Sequence, residues 1–196
     1  MTLHDAPMNA LLITPLAVVV LIVVVAIWAI VTYNRLVQLR NRVEAAWAQI
    51  DVQLKRRHSL IPNLVETVKG YAAHERGTLE AVVQARNVAV QVGGAGPEQQ
   101  AQAEGALTQA LGRLFALAEA YPDLKANQNF LALQAELTST EDKIAYARQF
   151  YDNAIQTLNA SVQSFPTNLI AGMGGFATRP YFEADGAERA DVNVRF

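Results

Sequence analysis

From Tyr33 onward the apolar positions recur with the period of an α-helix. Leu36, Leu39, Val43, Ala46, Ile50 and Leu54 form one stripe, continued by Ile61, Leu64, Val68 and Tyr71. Pro62 lies inside this run. Proline removes a helical N–H and crowds the carbonyl four residues back, so a kink or short break is expected at 58–61. A second helix is predicted over 75–92, with Leu79, Val82, Val83 and Val90 inward, ended by the glycine cluster at 93–96 and Pro97. A third covers 98–120, with Leu107, Ala110, Leu114, Leu117 and Tyr121 on one seam. Tyr121-Pro122-Asp123 ends it and offers Asp123 as the N-cap of the next. In the fourth helix Phe130, Leu137, Ile144, Tyr151, Leu158 and Phe165 follow one another every seven residues. Leu133, Thr140, Ala147, Ala154 and Ser161 stand between them, a coiled-coil seam about 53 Å long. No segment before the tail alternates with period two, which argues against a sheet.

The head of the chain follows a different rule. From Ala6 to Asn34 there are 29 residues without a charge, 23 of them apolar. Residues 11–31 would span about 31 Å as a helix, close to the hydrocarbon thickness of a bilayer. Fifteen of those positions are Leu, Ile or Val. Each favours insertion by about 0.3–0.6 kcal/mol, roughly 5–9 kcal/mol together. Trp28 and Tyr33 lie where amphipathic rings anchor at the interface, and Arg35 follows. A cleaved signal peptide fits less well, because the leader has no Lys or Arg and the apolar run is too long. After the span come Arg35, Arg40, Arg42, Lys55, Arg56 and Arg57, whereas only His4, Asp5 and the terminal amine precede it. The positive-inside rule then puts residues 1–9 outside and everything past residue 32 in the cytoplasm.

The expected fold is therefore all-α. A transmembrane helix at 10–32 leads into an antiparallel up-and-down four-helix bundle at 33–165, followed by an extended Gly/Pro-containing tail at 166–196. The tail keeps Leu169, Ile170, Met173, Phe176, Tyr181 and Phe182, too apolar for free solvation. At its end Val192, Val194 and Phe196 alternate and would share one strand face. Two readings stand: an intermolecular strand that makes the oligomer contact, or a frayed terminus.

Composition narrows the function. The net charge of −2 argues against a nucleic-acid-coating protein, and no cysteine is present for a disulfide, a thiolate nucleophile or cysteine-bound zinc. His58 and His74 form no metal-ligand pair, and the second histidine of a His-Glu-x-x-His motif is missing at Thr78. Both histidines read as surface or interhelical polar groups. Glu136, Glu141 and Asp142 are interspersed with Lys143 and Arg148, as on a solvated face. No catalytic, cofactor-binding or metal-binding residue is assigned, and the chain reads as a non-enzyme.

Several stretches together resemble the LemA family of bacterial membrane proteins. They are Tyr33-Asn34 with Leu36, the run from Arg56 through His58, Pro62 and Val65, Tyr121-Pro122-Asp123-Leu124-Lys125-Ala126, and Asn129-Phe130 with Leu133, Glu136-Leu137 and Glu141. Arg148-Gln149-Phe150-Tyr151-Asp152-Asn153, Phe165-Pro166-Thr167-Asn168 and Arg179-Pro180-Tyr181-Phe182 complete the set. The resemblance implies a single-pass anchor, a long-helix bundle and no established enzymatic activity. It implies relatives that take part in building magnetosome membranes, and others encoded near membrane proteases or TPM-domain proteins. The leading expectation is a membrane-anchored scaffold whose partners are the lipid bilayer and further copies of itself. The rival is an adaptor or regulator of another membrane protein, such as a protease or stress-response partner.

Overall fold

The computed structural model describes residues 6–182, with side chains from Thr14 onward. Every regular element among the described residues is helical. In chain order they are α1 (Ala6–Lys69), α2 (Arg76–Gln91), α3 (Pro97–Ala118), α4 (Pro122–Lys125), α5 (Gln128–Gln163) and α6 (Thr167–Met173). The chain divides into two units, Met1–Arg42 with Gln156–Thr178 and Val43–Ile155 with Arg179–Phe196.

In the larger unit one core gathers Ile61, Leu64 and Val68 of α1, Leu79 and Val82 of α2, Leu107 and Leu114 of α3, Leu124 of α4, and Phe130 and Leu137 of α5. The stripes read from the sequence are mostly buried, but eight of their members are not. Tyr71, Val83, Val90 and Phe165 are exposed and Leu117, Tyr121, Leu133 and Ser161 are half-buried, while Ala72, Ala89, Leu111, Ala118 and Ile155 are buried instead. Each error lies toward the end of an element or on the rim of its stripe, where a strict seven-residue count drifts from the 3.6-residue turn.

The break expected at 58–61 does not occur, for α1 is helical without interruption through Pro62. Proline at 62 deprives the His58 carbonyl of its helical donor. Arg86 Nε, arriving from α2, donates to that oxygen at 2.8 Å. A tertiary contact thus replaces the lost bond. The long helix also starts later than expected. Asp123 sits in the first turn of the short α4, and the cap of α5 is Asn127, whose Oδ1 accepts from the Phe130 N–H at 3.0 Å.

The smaller unit has its own core of Leu36, Ala171 and Phe176, flanked by Val37, Val162 and Ile170. The tail is not extended throughout, since α6 forms before the glycines stop it. The Phe176 N–H donates to Ala171 at 2.9 Å and the Gly175 N–H to Gly172 at 3.4 Å, with Gly175 at φ 69°. That pattern is a Schellman cap, and its left-handed residue favours glycine. Gly174 is needed for another reason: a Cβ there would lie 2.7 Å from the Phe176 ring.

Candidate functional site

The three residues assigned to the membrane boundary all lie on α1 and are exposed. Tyr33 meets Phe176 edge-on, with ring centroids 5.5 Å apart, and the Arg40 guanidinium lies 5.6 Å from the same ring. Trp28 and Arg35 stand on the surface of the helix. Among the described residues one helix, Thr14–Lys69, is long and apolar enough to cross a membrane. Apart from Trp28 at 36%, its large apolar side chains between Leu16 and Val31 are each half exposed or more, so the described chain leaves this surface uncovered. Val192, Val194 and Phe196, assigned to the oligomer contact, lie outside the described residues.

The larger unit holds a polar cluster that sequence reasoning missed. Between Leu54 and Ile61 the stripe of α1 passes through Arg57 and His58, and both are buried. On α3 the stripe runs back from Leu107 to Glu104 and Gln100, buried as well. These four meet in the core. Glu104 Oε1 lies 2.7 Å from His58 Nε2 and accepts from Gln100 Nε2 at 3.0 Å. Its other oxygen accepts from Arg57 Nη1 at 3.2 Å. Arg57 Nη2 donates to Thr108 Oγ1 at 2.7 Å and pairs with Glu141 at 3.2 Å. Gln100 spends its second hydrogen on the Ala89 carbonyl, 3.3 Å away. An ionised carboxylate only accepts, so His58 presents a proton to it on Nε2.

One expectation is corrected here: Glu141, expected on the solvated face, is half-exposed and turned onto the buried Arg57. Of the two places expected for a histidine, His58 takes the interhelical one, buried between α1 and α3. His74 is exposed, as expected of a surface residue. A signal for the cluster was present, because Arg57, His58, Gln100 and Glu104 all fall on stripes that are otherwise apolar.

The cluster is saturated rather than poised. A cleft of about 210 Å³ reaches His58 and Gln100, with Asp51, Lys55, Ser59 and Arg86 on its walls. Lys55 is already paired with Asp51 at 2.6 Å, and Arg86 is held by the His58 carbonyl. The Ser59 hydroxyl in this cleft donates to the Arg56 carbonyl at 2.7 Å, and no group of three metal-ligating side chains occurs among the described residues. Buried ionic networks of this kind contribute less to net stability than to fixing which groups face each other, because desolvation offsets most of the attraction. Here the network sets the register of α3 against α1.

Two tyrosines titrate above their ordinary range. Burial raises Tyr151, reinforced by the neighbouring Asp152 charge and opposed by Arg179. Its ring packs on Trp47, which in turn meets Phe182, with Arg148 over the Phe182 ring at 4.7 Å. Tyr121 is raised by desolvation and by its hydrogen bond to Glu75 at 3.1 Å.

A second surface of this unit is apolar. A groove of about 690 Å³ between α1 and α5 is lined by Val52, Tyr146, Ala147 and Phe150, and Tyr146 is 74% exposed. Gln53 lies in it, and its buried Oε1 has no hydrogen-bond partner among the described residues.

Residues 46–196, which carry the polar cluster and the groove, match the model of the LemA family. The chain belongs to the LemA family. Its similar relatives include magnetosome protein MamQ 2 of Paramagnetospirillum magneticum, 27% identical over 205 residues, covering 92% of this chain and 74% of the relative. MamQ 1 of the same organism matches to the same extent. Protein LemA of Metamycoplasma hominis is 27% identical over 163 residues, covering 82% of this chain and 73% of the relative. The polar cluster thus lies wholly within the part of the chain that the LemA family model matches.

Proposed function

We propose that this LemA-family protein is a non-enzymatic scaffold, anchored by one transmembrane helix in the bacterial inner membrane, that self-associates and organises or shapes the bilayer. The observation that carries the reading is the uncovered apolar surface of α1. Roughly five turns of Leu, Ile and Val have no protein partner among the described residues, and a bilayer is the environment in which such a surface is stable. The relatives named as magnetosome proteins support a role at a membrane. The basic residues that follow the span support a cytoplasmic placement of the rest of the chain, with residues 1–9 outside.

In this reading α1, α2, α3 and α5 form the antiparallel up-and-down bundle, supported by the short connections at 70–75, 92–96 and 119–127. The apolar groove between α1 and α5, and the segment ending in Val192, Val194 and Phe196, supply surface for contact between copies. The polar core, in which Glu104 is already engaged by Arg57, His58 and Gln100, supports the non-enzymatic assignment.

The test is the mass of the full-length chain in mild detergent, measured by light scattering after size exclusion. Homo-oligomers are expected, and Tyr146→Ser with Phe150→Ser should reduce their size while helical content persists. A monomer, or a one-to-one complex with a different membrane protein, refutes the scaffold and favours the adaptor.

A further inference from the structure

The smaller unit has a distribution of charge that an ordinary water-exposed fold does not. Asn153 to Thr178, which includes all of this unit's second segment, is a second run without a charge, 26 residues in a chain that is 17% charged and would place about four there. It is not a buried run. Phe165 is 80% exposed and Met173 87%, with Leu169 also exposed between them. These three follow one another every four residues, a spacing that within a helix gathers side chains on one side, and Leu169 and Met173 share one face of α6. The opposite face, with Ala171 and Ile170, packs on the Leu36 and Phe176 core.

The location of this apolar edge is fixed by its neighbours. Ile170, Met173 and Gly174 line a hollow of about 320 Å³ together with Ala29, Ile30 and Tyr33. The last two turns of the apolar run of α1 are therefore beside α6. Between Ala6 and Arg42 and between Gln156 and Thr178 the charged residues are Arg35, Arg40 and Arg42, and they follow the apolar run of α1. An apolar edge at the level where a membrane span ends, with arginines following the span, matches the boundary between acyl chains and anionic headgroups.

We propose that the turn from Phe165 through α6 is a second membrane contact, dipping Phe165, Leu169 and Met173 into the interfacial layer of an anionic bilayer beside the anchor. This rests on the membrane-anchor reading of α1. A single-pass helix alone leaves a domain free to swivel about it. Two contacts on one unit restrain the rotation of that unit.

The chain has no cysteine, so single-cysteine variants report one position each. Full-length Met173→Cys, Phe165→Cys, Val23→Cys and Thr138→Cys would carry a nitroxide label in vesicles of phosphatidylcholine and phosphatidylglycerol. Collision with oxygen is then compared with collision with a water-soluble nickel complex. The expected result is that positions 173 and 165 favour oxygen, as position 23 does, while position 138 favours nickel. If 173 and 165 behave like 138 while 23 remains in lipid, the second contact is refuted and the anchor stands. If 23 also favours nickel, the anchor fails and this inference with it. If 173 and 165 are shielded from both reagents, protein covers the edge, a second copy being the obvious occupant, and the lipid contact is refuted.

Discussion

Removing the Glu104 side chain is the sharpest available perturbation of the polar core. Its carboxylate accepts from Arg57, His58 and Gln100 at 2.7–3.2 Å, and the Arg57 side chain is only 5% exposed. Stripping one partner from a buried ion pair costs about 3–5 kcal/mol, because the remaining charge stays desolvated. Arg57 keeps Thr108 and the half-exposed Glu141, and Gln100 keeps the Ala89 carbonyl, which moderates the loss. His58 loses its only side-chain partner in the cluster, adding about 1 kcal/mol. Glu104→Ala should therefore cost about 4 kcal/mol, a large part of the roughly 5–15 kcal/mol that holds a domain folded. Glu136→Ala, which removes the surface pair with Arg56, should cost less than about 1 kcal/mol. Urea unfolding of the full-length chain in mild detergent, followed by helical circular dichroism, measures both. Replacing Arg57→Met, His58→Leu and Glu104→Leu together should recover part of the loss, since no unpaired Arg57 charge then remains. If Glu104→Ala proves as mild as Glu136→Ala, the cluster is not desolvated and its role in register is wrong.

Four further outcomes are expected. Arg86→Leu leaves the His58 carbonyl without the donor that Pro62 withholds, so it should cost about 1–3 kcal/mol in the same urea assay, and equal stability would show that Pro62 needs no such partner. Ile155→Ala should cost about 2–5 kcal/mol although Ile155 lies off the seven-residue seam, whereas Phe165→Ala should leave helix stability nearly unchanged because its ring is exposed; the opposite ranking in urea would restore the strict seam. Tyr151 is harder to ionise folded than unfolded, so the unfolded chain releases its proton first. Stability should fall as pH rises through about 10, and Tyr151→Phe should flatten that fall when thermal unfolding is followed across pH. Single cysteines at Thr2 and Thr138, exposed to a membrane-impermeant thiol reagent in intact spheroplasts, should label at position 2 only, and labelling at 138 alone would invert the proposed topology.

Much of this molecule is set by periodicity alone. The apolar run before Asn34, the stripe from Leu36 to Val68 and the seam from Phe130 to Leu158 were all legible, because a helix repeats every 3.6 residues whatever it packs against. The family resemblance was legible for the same local reason, in short runs such as Arg56 to Val65. What only the tertiary structure decided are the places where one element supplies what another lacks. Pro62 reads as a breaker until Arg86 is brought to the carbonyl it frees, and that donor lies 28 residues from His58. Arg57 and Glu104 have no partner in the local pattern until α3 is laid against α1 and each becomes the other's partner 47 residues apart. A sequence pattern records the face on which a residue lies. The partner across the core is set by packing, and burial makes that choice strict, since a buried charge or carbonyl left without its partner costs more than most single contacts contribute.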